Sequence, residues 1–161
     1  MRQKQNKFEV KDKQVLAILA KENITITALV PTMLASLLKA PELKNHQYSN
    51  LRMIMTAGSP VAPELVRQTM DQFGCDYVQF YGMTETSAMI CAWPKNDFLQ
   101  STDNENLGIA LPHATFIRES NNSNQKNKPS WEHIVIRAES LFYGYYPETP
   151  QKKDTFETSD E

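Results

Sequence analysis

The sequence predicts an α/β fold: a parallel sheet with helical crossovers, followed by a small β-rich portion. Three observations lead there. Short apolar runs alternate with helical segments through the first half of the chain, the order that builds strand–helix–strand units. Proline and glycine fall at the seams between those runs. Beyond Pro94 the helical pattern stops, and polar stretches separate short alternating runs.

Taken in chain order, Val15, Leu16, Ile18 and Leu19 inside a Lys- and Glu-containing frame predict a helix of about three turns, with Asp12 placed to cap it. The stretch from Ile24 to Val30 alternates β-branched and apolar residues and reads as a strand. Pro31 ends it, because proline has no ladder donor, and starts a helix. Met33, Leu34, Leu37 and Leu38 are spaced along one buried face of that helix before Pro41. Leu51 to Thr56 is the next strand, Ala57-Gly58-Ser59-Pro60 a tight loop, and Pro63 to Phe73 a helix with proline near its start. Tyr77 to Phe80 is a third strand running into Tyr81-Gly82-Met83-Thr84-Glu85-Thr86. Residues 8–95 thus form a β/α sheet region and residues 96–161 the β-rich portion. In the latter, Ala114 to Arg118 and His133 to Arg137 are strands, Asn96 to Asn106 is loop-like, and the Asn-, Ser- and Lys-rich insert 119–130 is a mobile hairpin tip.

Composition narrows the function. With 161 residues, 40% hydrophobic and 22% charged, the chain is an ordinary globular domain. A formal net charge of -2 offers no concentrated basic surface for nucleic acid or anionic lipid. Two cysteines, Cys75 and Cys91, without metal-ligand company at zinc spacing imply neither a disulfide framework nor a zinc site, and a reducing cytoplasm is expected. The basic start, Met1-Arg2-Gln3-Lys4, lacks the apolar core of a signal peptide, and no apolar run reaches transmembrane length. His46 and His133 read as surface or strand histidines. His113 is a candidate to line a ligand crevice, and Cys75 reads as a packed small residue.

In open parallel sheets, ligands bind beyond the carboxyl ends of the strands. If the strands at Leu51 and Tyr77 are neighbours, Gly58-Ser59-Pro60 and Tyr81-Gly82-Met83-Thr84-Glu85 converge there. Glycine permits close backbone approach, Tyr81 offers a flat face for a base, Thr84 a donor for a phosphate oxygen, and Glu85 a hard oxygen for magnesium. Taken singly, the Gly-Ser-Pro turn reads as turn chemistry, Tyr81 as a half-buried core aromatic and Glu85 as a solvated carboxylate. Their combination at two strand ends points to a ligand site.

Tyr81-Gly82-Met83-Thr84-Glu85 resembles the Tyr-Gly-x-Thr-Glu signature of the adenylate-forming superfamily of acyl-CoA synthetases, aryl-acid ligases and peptide-synthetase adenylation domains. Leu29-Val30-Pro31-Thr32-Met33, Leu51-Arg52 through Gly58-Ser59-Pro60, Gly108-Ile109-Ala110-Leu111-Pro112, Ile134-Val135-Ile136-Arg137 and Gly144-Tyr145-Tyr146 follow in that family's order. The likeness runs from about Phe8 to Asp160, and makes residues 1–161 part of an AMP-binding N-terminal domain. It implies that Gly58, Ser59 and Pro60 lie against an adenine framed by Gln79, Phe80 and Tyr81, with Gly82 and Met83 completing the segment. Thr84 is then the α-phosphate contact, Glu85 the magnesium ligand, and Asp160, in Thr158-Ser159-Asp160, the ribose contact. The implied reaction uses ATP to activate a carboxylic acid as acyl-AMP and passes the acyl group to coenzyme A, as in fatty-acid metabolism.

The sequence departs from that pattern in places. Ser159, His113 and Ala138 stand where glycine is usual, and the stretch from Pro147 to Phe156 is short. No segment resembles the family's phosphate loop with its lysine, or the small C-terminal domain with its own. The chain alone is therefore expected to be inactive. Two other readings stay open: a non-catalytic piece that binds nucleotide or pairs with separate segments of the same enzyme, and a piece of an aryl-acid or amino-acid adenylating enzyme.

Overall fold

The computed structural model describes residues 12–94, 108–118, 134–147, 151 and 154–158. The expected loop at Asn96 to Asn106, the insert 119–130 and Asp160 lie outside them.

Helix α1 (Asp12–Lys21) buries Leu16 and Leu19. Asp12, expected as its cap, is its first residue and accepts a hydrogen bond from the Ser36 hydroxyl at 2.5 Å. Strand β1 (Ile26–Leu29) is shorter than the alternating run because Val30 already caps helix α2 (Pro31–Lys39), with Pro31 in the first turn. Leu34 and Leu37 of α2 are buried and Leu38 packs beside them. Met33 is 40% exposed instead of buried, because the apolar stripe is centred on Pro31, Leu34 and Leu37, and a residue one step from its middle is turned about 100° away.

A 3₁₀ segment (Pro41–Asn45) leads to strand β2 (Met53–Thr56). Leu51 is buried but precedes the strand, its N–H closing a turn on the Tyr48 carbonyl at 2.9 Å. Helix α3 (Pro63–Phe73) has the expected bounds and ends on left-handed Gly74, whose N–H bonds Met70 O at 2.8 Å.

Strand β3 (Asp76–Met83) is eight residues long, so Tyr81, Gly82 and Met83 belong to a strand and not to a loop. A 3₁₀ turn (Thr84–Thr86) follows, then strand β4 (Ala88–Pro94), which the sequence reading did not contain, and the two-residue strand β5 (Ile109–Ala110). The sheet order is β1-β2-β3-β4-β5. Its first three strands are parallel, joined by crossovers that carry α2 and α3, and β4 and β5 run antiparallel. A second sheet is antiparallel throughout: β6 (Ala114–Arg118), β7 (Ile134–Ala138) and β8 (Thr155–Glu157).

The described residues form two apolar clusters. The first joins the three helices to the parallel strands through Leu16, Leu34, Leu37, Ile54, Val66 and Tyr77, and includes buried Trp93 of β4. The second centres on Ile90 and Ile136, with Tyr81, Met83, Phe116 and Phe156 packed against it. A register shift between β3 and β4 makes this possible. Tyr81 pairs with Cys91 but Gly82 with Met89, leaving Ile90 as the extra residue of a bulge that re-aims its side chain.

Candidate functional site

Strands β2 and β3 are parallel neighbours in register, with Thr56 opposite Gln79. Their alignment sets the loop Ala57-Gly58-Ser59-Pro60 beside the middle of β3, where the Gln79 side-chain amide donates to Ser59 O at 3.4 Å. Below this contact, Thr56 Oγ1 and the Tyr77 hydroxyl share a buried hydrogen bond of 2.5 Å. Burial pushes the Tyr77 phenol up to about 12, against the opposing pull of that bond. The pair therefore stays neutral at physiological pH and ties the end of β2 to β3. The sequence offers no sign of it, since threonine and tyrosine are both ordinary strand residues.

Gly58, Ser59 and Pro60 are exposed. Gly58 has φ +92°, a left-handed conformation, and a side chain there would meet none of the described atoms within 4 Å, so the loop leaves an open surface above it. Gln79 is half-buried, and its carbonyl Oε1 is buried without a hydrogen-bond partner among the described residues. Phe80 and Tyr81 are half-buried, Tyr81 resting against the second cluster. Base-framing candidates Gly58, Ser59, Pro60 and Gln79 are thus brought together by sheet register.

Further along β3, Gly82 is exposed and Met83 half-buried. The turn that follows is locked by fully buried Thr86, whose hydroxyl donates to Met83 O at 2.9 Å and accepts from Met83 N–H at 3.1 Å. This lock places Thr84 in solvent and Glu85 half-buried. Gln79 and Met83 are separated by roughly 13 Å of extended strand, so base-framing and phosphate-facing candidates occupy successive stretches of one element.

Two residues absent from the predicted site touch Glu85. The Phe142 N–H donates to Glu85 O at 2.8 Å, and the Tyr145 hydroxyl donates to Glu85 Oε1. No local signal could link residues 60 positions apart, although Tyr145 stands in the Gly-Tyr-Tyr stretch singled out above.

His113 is exposed, with Nε2 at 3.1 Å from Met89 O. Cys75 and Cys91 are buried, and burial pushes the Cys91 thiol up to about 11, which keeps it protonated and non-nucleophilic at neutral pH. Among the described residues there is no group of three or more His, Cys, Asp or Glu that could hold a metal ion. Glu85 is one carboxylate at a strand end, a donor set that fits magnesium carried on phosphates rather than a resident cation, since magnesium commonly takes one or two carboxylates and fills its shell from phosphate and water.

The family model for AMP-binding enzymes matches residues 2–146. The chain belongs to the AMP-binding enzyme family. Similar members include the mitochondrial medium-chain acyl-CoA ligase ACSF2 of Mus musculus, 30% identical over 91% of this chain and 23% of that protein. The indoleacetate–CoA ligase of Aromatoleum aromaticum is 30% identical over 78% of this chain and 24% of its own length. Among solved structures, the N-terminal domain of FACL13 from Mycobacterium tuberculosis has a similar fold, with a TM-score of 0.75 at 18% identity, over 92% of this chain and 37% of that one. The chain therefore spans about a quarter of the length of these AMP-binding ligases. No helix among its described residues is long and apolar enough to cross a membrane.

Proposed function

We propose that this chain is the nucleotide-site portion of an acid–CoA ligase that works through an acyl-adenylate. The reading rests on one observation above others. Sheet register joins the 58–60 loop to Gln79 on the strand that leads straight to Thr84 and Glu85. Membership of a family whose similar members are acid–CoA ligases supports it.

In this reading Gly58, Ser59, Pro60 and Gln79 border the adenine, Tyr81 stacks on it beside Phe80, and Asp160 holds the ribose. The exposed Thr84 hydroxyl donates to an α-phosphate oxygen. The acid's carboxylate oxygen attacks the α-phosphorus, the bond to the bridging oxygen breaks, and pyrophosphate leaves with that electron pair. The thiolate of coenzyme A then attacks the acyl carbonyl and AMP departs. What the residues contribute is position, holding the α-phosphate in line for attack. Magnesium, when bound, supplies charge neutralisation on the phosphates, and Glu85 is the residue that would hold it.

Isothermal titration with AMP and with magnesium–ATP tests the site. Tyr81→Ala is expected to weaken both by about tenfold or more, in line with the loss of a base-stacking ring. Glu85→Gln should remove the magnesium dependence alone. Unchanged binding in both variants, with cooperative melting preserved, would exclude these roles.

A second reading, that the chain acts only when joined to the rest of such an enzyme, is favoured by apolar side chains exposed around β1: Ile26 at 52%, Val30 at 46% and Met33 at 40%. Pyrophosphate release from ATP and a panel of carboxylic acids is expected to be absent for the chain alone. It should appear when the remaining segments of a full-length relative are added. Turnover by the chain alone would refute this dependence.

A further inference from the structure

The segment after β7 crosses the 3₁₀ turn that follows β3 and touches it twice, once at the backbone and once at the carboxylate. The Phe142 N–H holds the Glu85 carbonyl, and the Tyr145 hydroxyl holds Glu85 Oε1. Tyr145 is itself braced. Its ring meets Phe142 edge-on with centroids 4.9 Å apart, and Phe142 meets Phe156 of β8 edge-on at 5.9 Å. Phe142 N–H and Tyr145 OH together fix both ends of one residue, main chain and side chain, from the segment that follows β7 of the second sheet.

A carboxylate turns freely about its last torsion unless one oxygen is held. The bond at Oε1 sets the plane of the Glu85 carboxylate and hence the direction of Oε2. Magnesium demands near-octahedral geometry at short distance, so an oxygen already fixed in direction binds it better than one that must be ordered on binding.

We infer that Tyr145 is a positioning residue for the Glu85 carboxylate, and that the aromatic series Phe156, Phe142, Tyr145 makes magnesium recognition at the nucleotide site depend on the second sheet. This rests on Glu85 being the magnesium ligand, as proposed above. The role assigned to Tyr145 needs no contact of its own with nucleotide or metal and runs through Glu85.

The test uses the full chain. ATP binding is titrated against magnesium chloride to give the half-saturating metal concentration, and AMP binding is measured in EDTA. Tyr145→Phe keeps the ring against Phe142 and removes only the hydroxyl. It should raise the half-saturating magnesium about tenfold, the cost typical of losing a partner of a metal ligand, while AMP affinity in EDTA stays within about twofold. In a Glu85→Gln background the same change should add nothing, since its effect passes through that carboxylate. Phe142→Leu, which withdraws the brace but leaves the hydroxyl, should shift magnesium in the same direction by less. A Tyr145→Phe chain with unaltered magnesium dependence overturns the inference and leaves the role of Glu85 standing. So does an equal loss of AMP affinity in EDTA, the mark of a merely structural residue. A Glu85→Gln chain with unaltered magnesium dependence removes the metal role of Glu85, and this inference falls with it.

Discussion

Gly108 is held by two constraints that reinforce each other. Its φ of +93° is left-handed, and a Cβ added there would stand 2.5 Å from Ala92 O, 2.8 Å from Ala92 C and 2.9 Å from Trp93 Cα. All three are backbone atoms of β4, which cannot swing aside as a side-chain tip would. Gly108→Ala is therefore expected to cost about 2 to 4 kcal/mol, read by urea unfolding, more than backbone strain alone would account for. A variant as stable as the wild type would show that β4 and the 108–110 segment separate easily. Gly58 has nearly the same φ, yet nothing described lies in the path of its Cβ. Two glycines alike in conformation thus serve different ends, one admitting a neighbouring strand and the other leaving a surface open. The sequence marked both as parts of recognisable stretches, but only coordinates separate the reasons.

Among the elements, those whose ends carry a chemical signal were legible. Pro31 and Pro63 fix the first turns of α2 and α3, and Gly74 closes α3, because each of these residues favours one backbone conformation. β4 was not legible. Its buried Ile90, Cys91 and Trp93 break the alternation that identifies a half-buried strand, and the bulge at Ile90 is the cause. Gly82 disguised the end of β3 in the same way, since glycine before a Thr-Glu pair reads as a loop when its strand partner is unknown. The stripe on α2 gives a test at this scale. Leu34→Ala should lower stability by about 2 to 5 kcal/mol, whereas Met33→Ala should change it by less than about 0.5 kcal/mol. Equal losses at the two positions in chemical denaturation would mean that Met33 is covered in solution.

At the scale of the molecule, family membership was legible because short stretches kept their order along the chain, and order needs no geometry. The arrangement of the site was legible only in part. Gln79 meeting the 58–60 loop follows from two adjacent parallel strands, which β/α alternation predicts. The grip of Tyr145 and Phe142 on Glu85 depends on how a second sheet sits against the first, and no periodicity records that.

The two apolar clusters share a wall, since β4 sends Trp93 to one and Ile90 to the other. That decides where the protein can be dissected. A version cut after Ser87 would keep the 58–60 loop, Gln79, Thr84 and Glu85, the candidate contacts to base, phosphate and metal. It would also strip Tyr81 and Met83 of Ile90 and take buried Trp93 from the helical cluster. Even a piece meant to hold only base, phosphate and metal must therefore include β4, a strand on which no candidate contact lies, for the sake of packing alone.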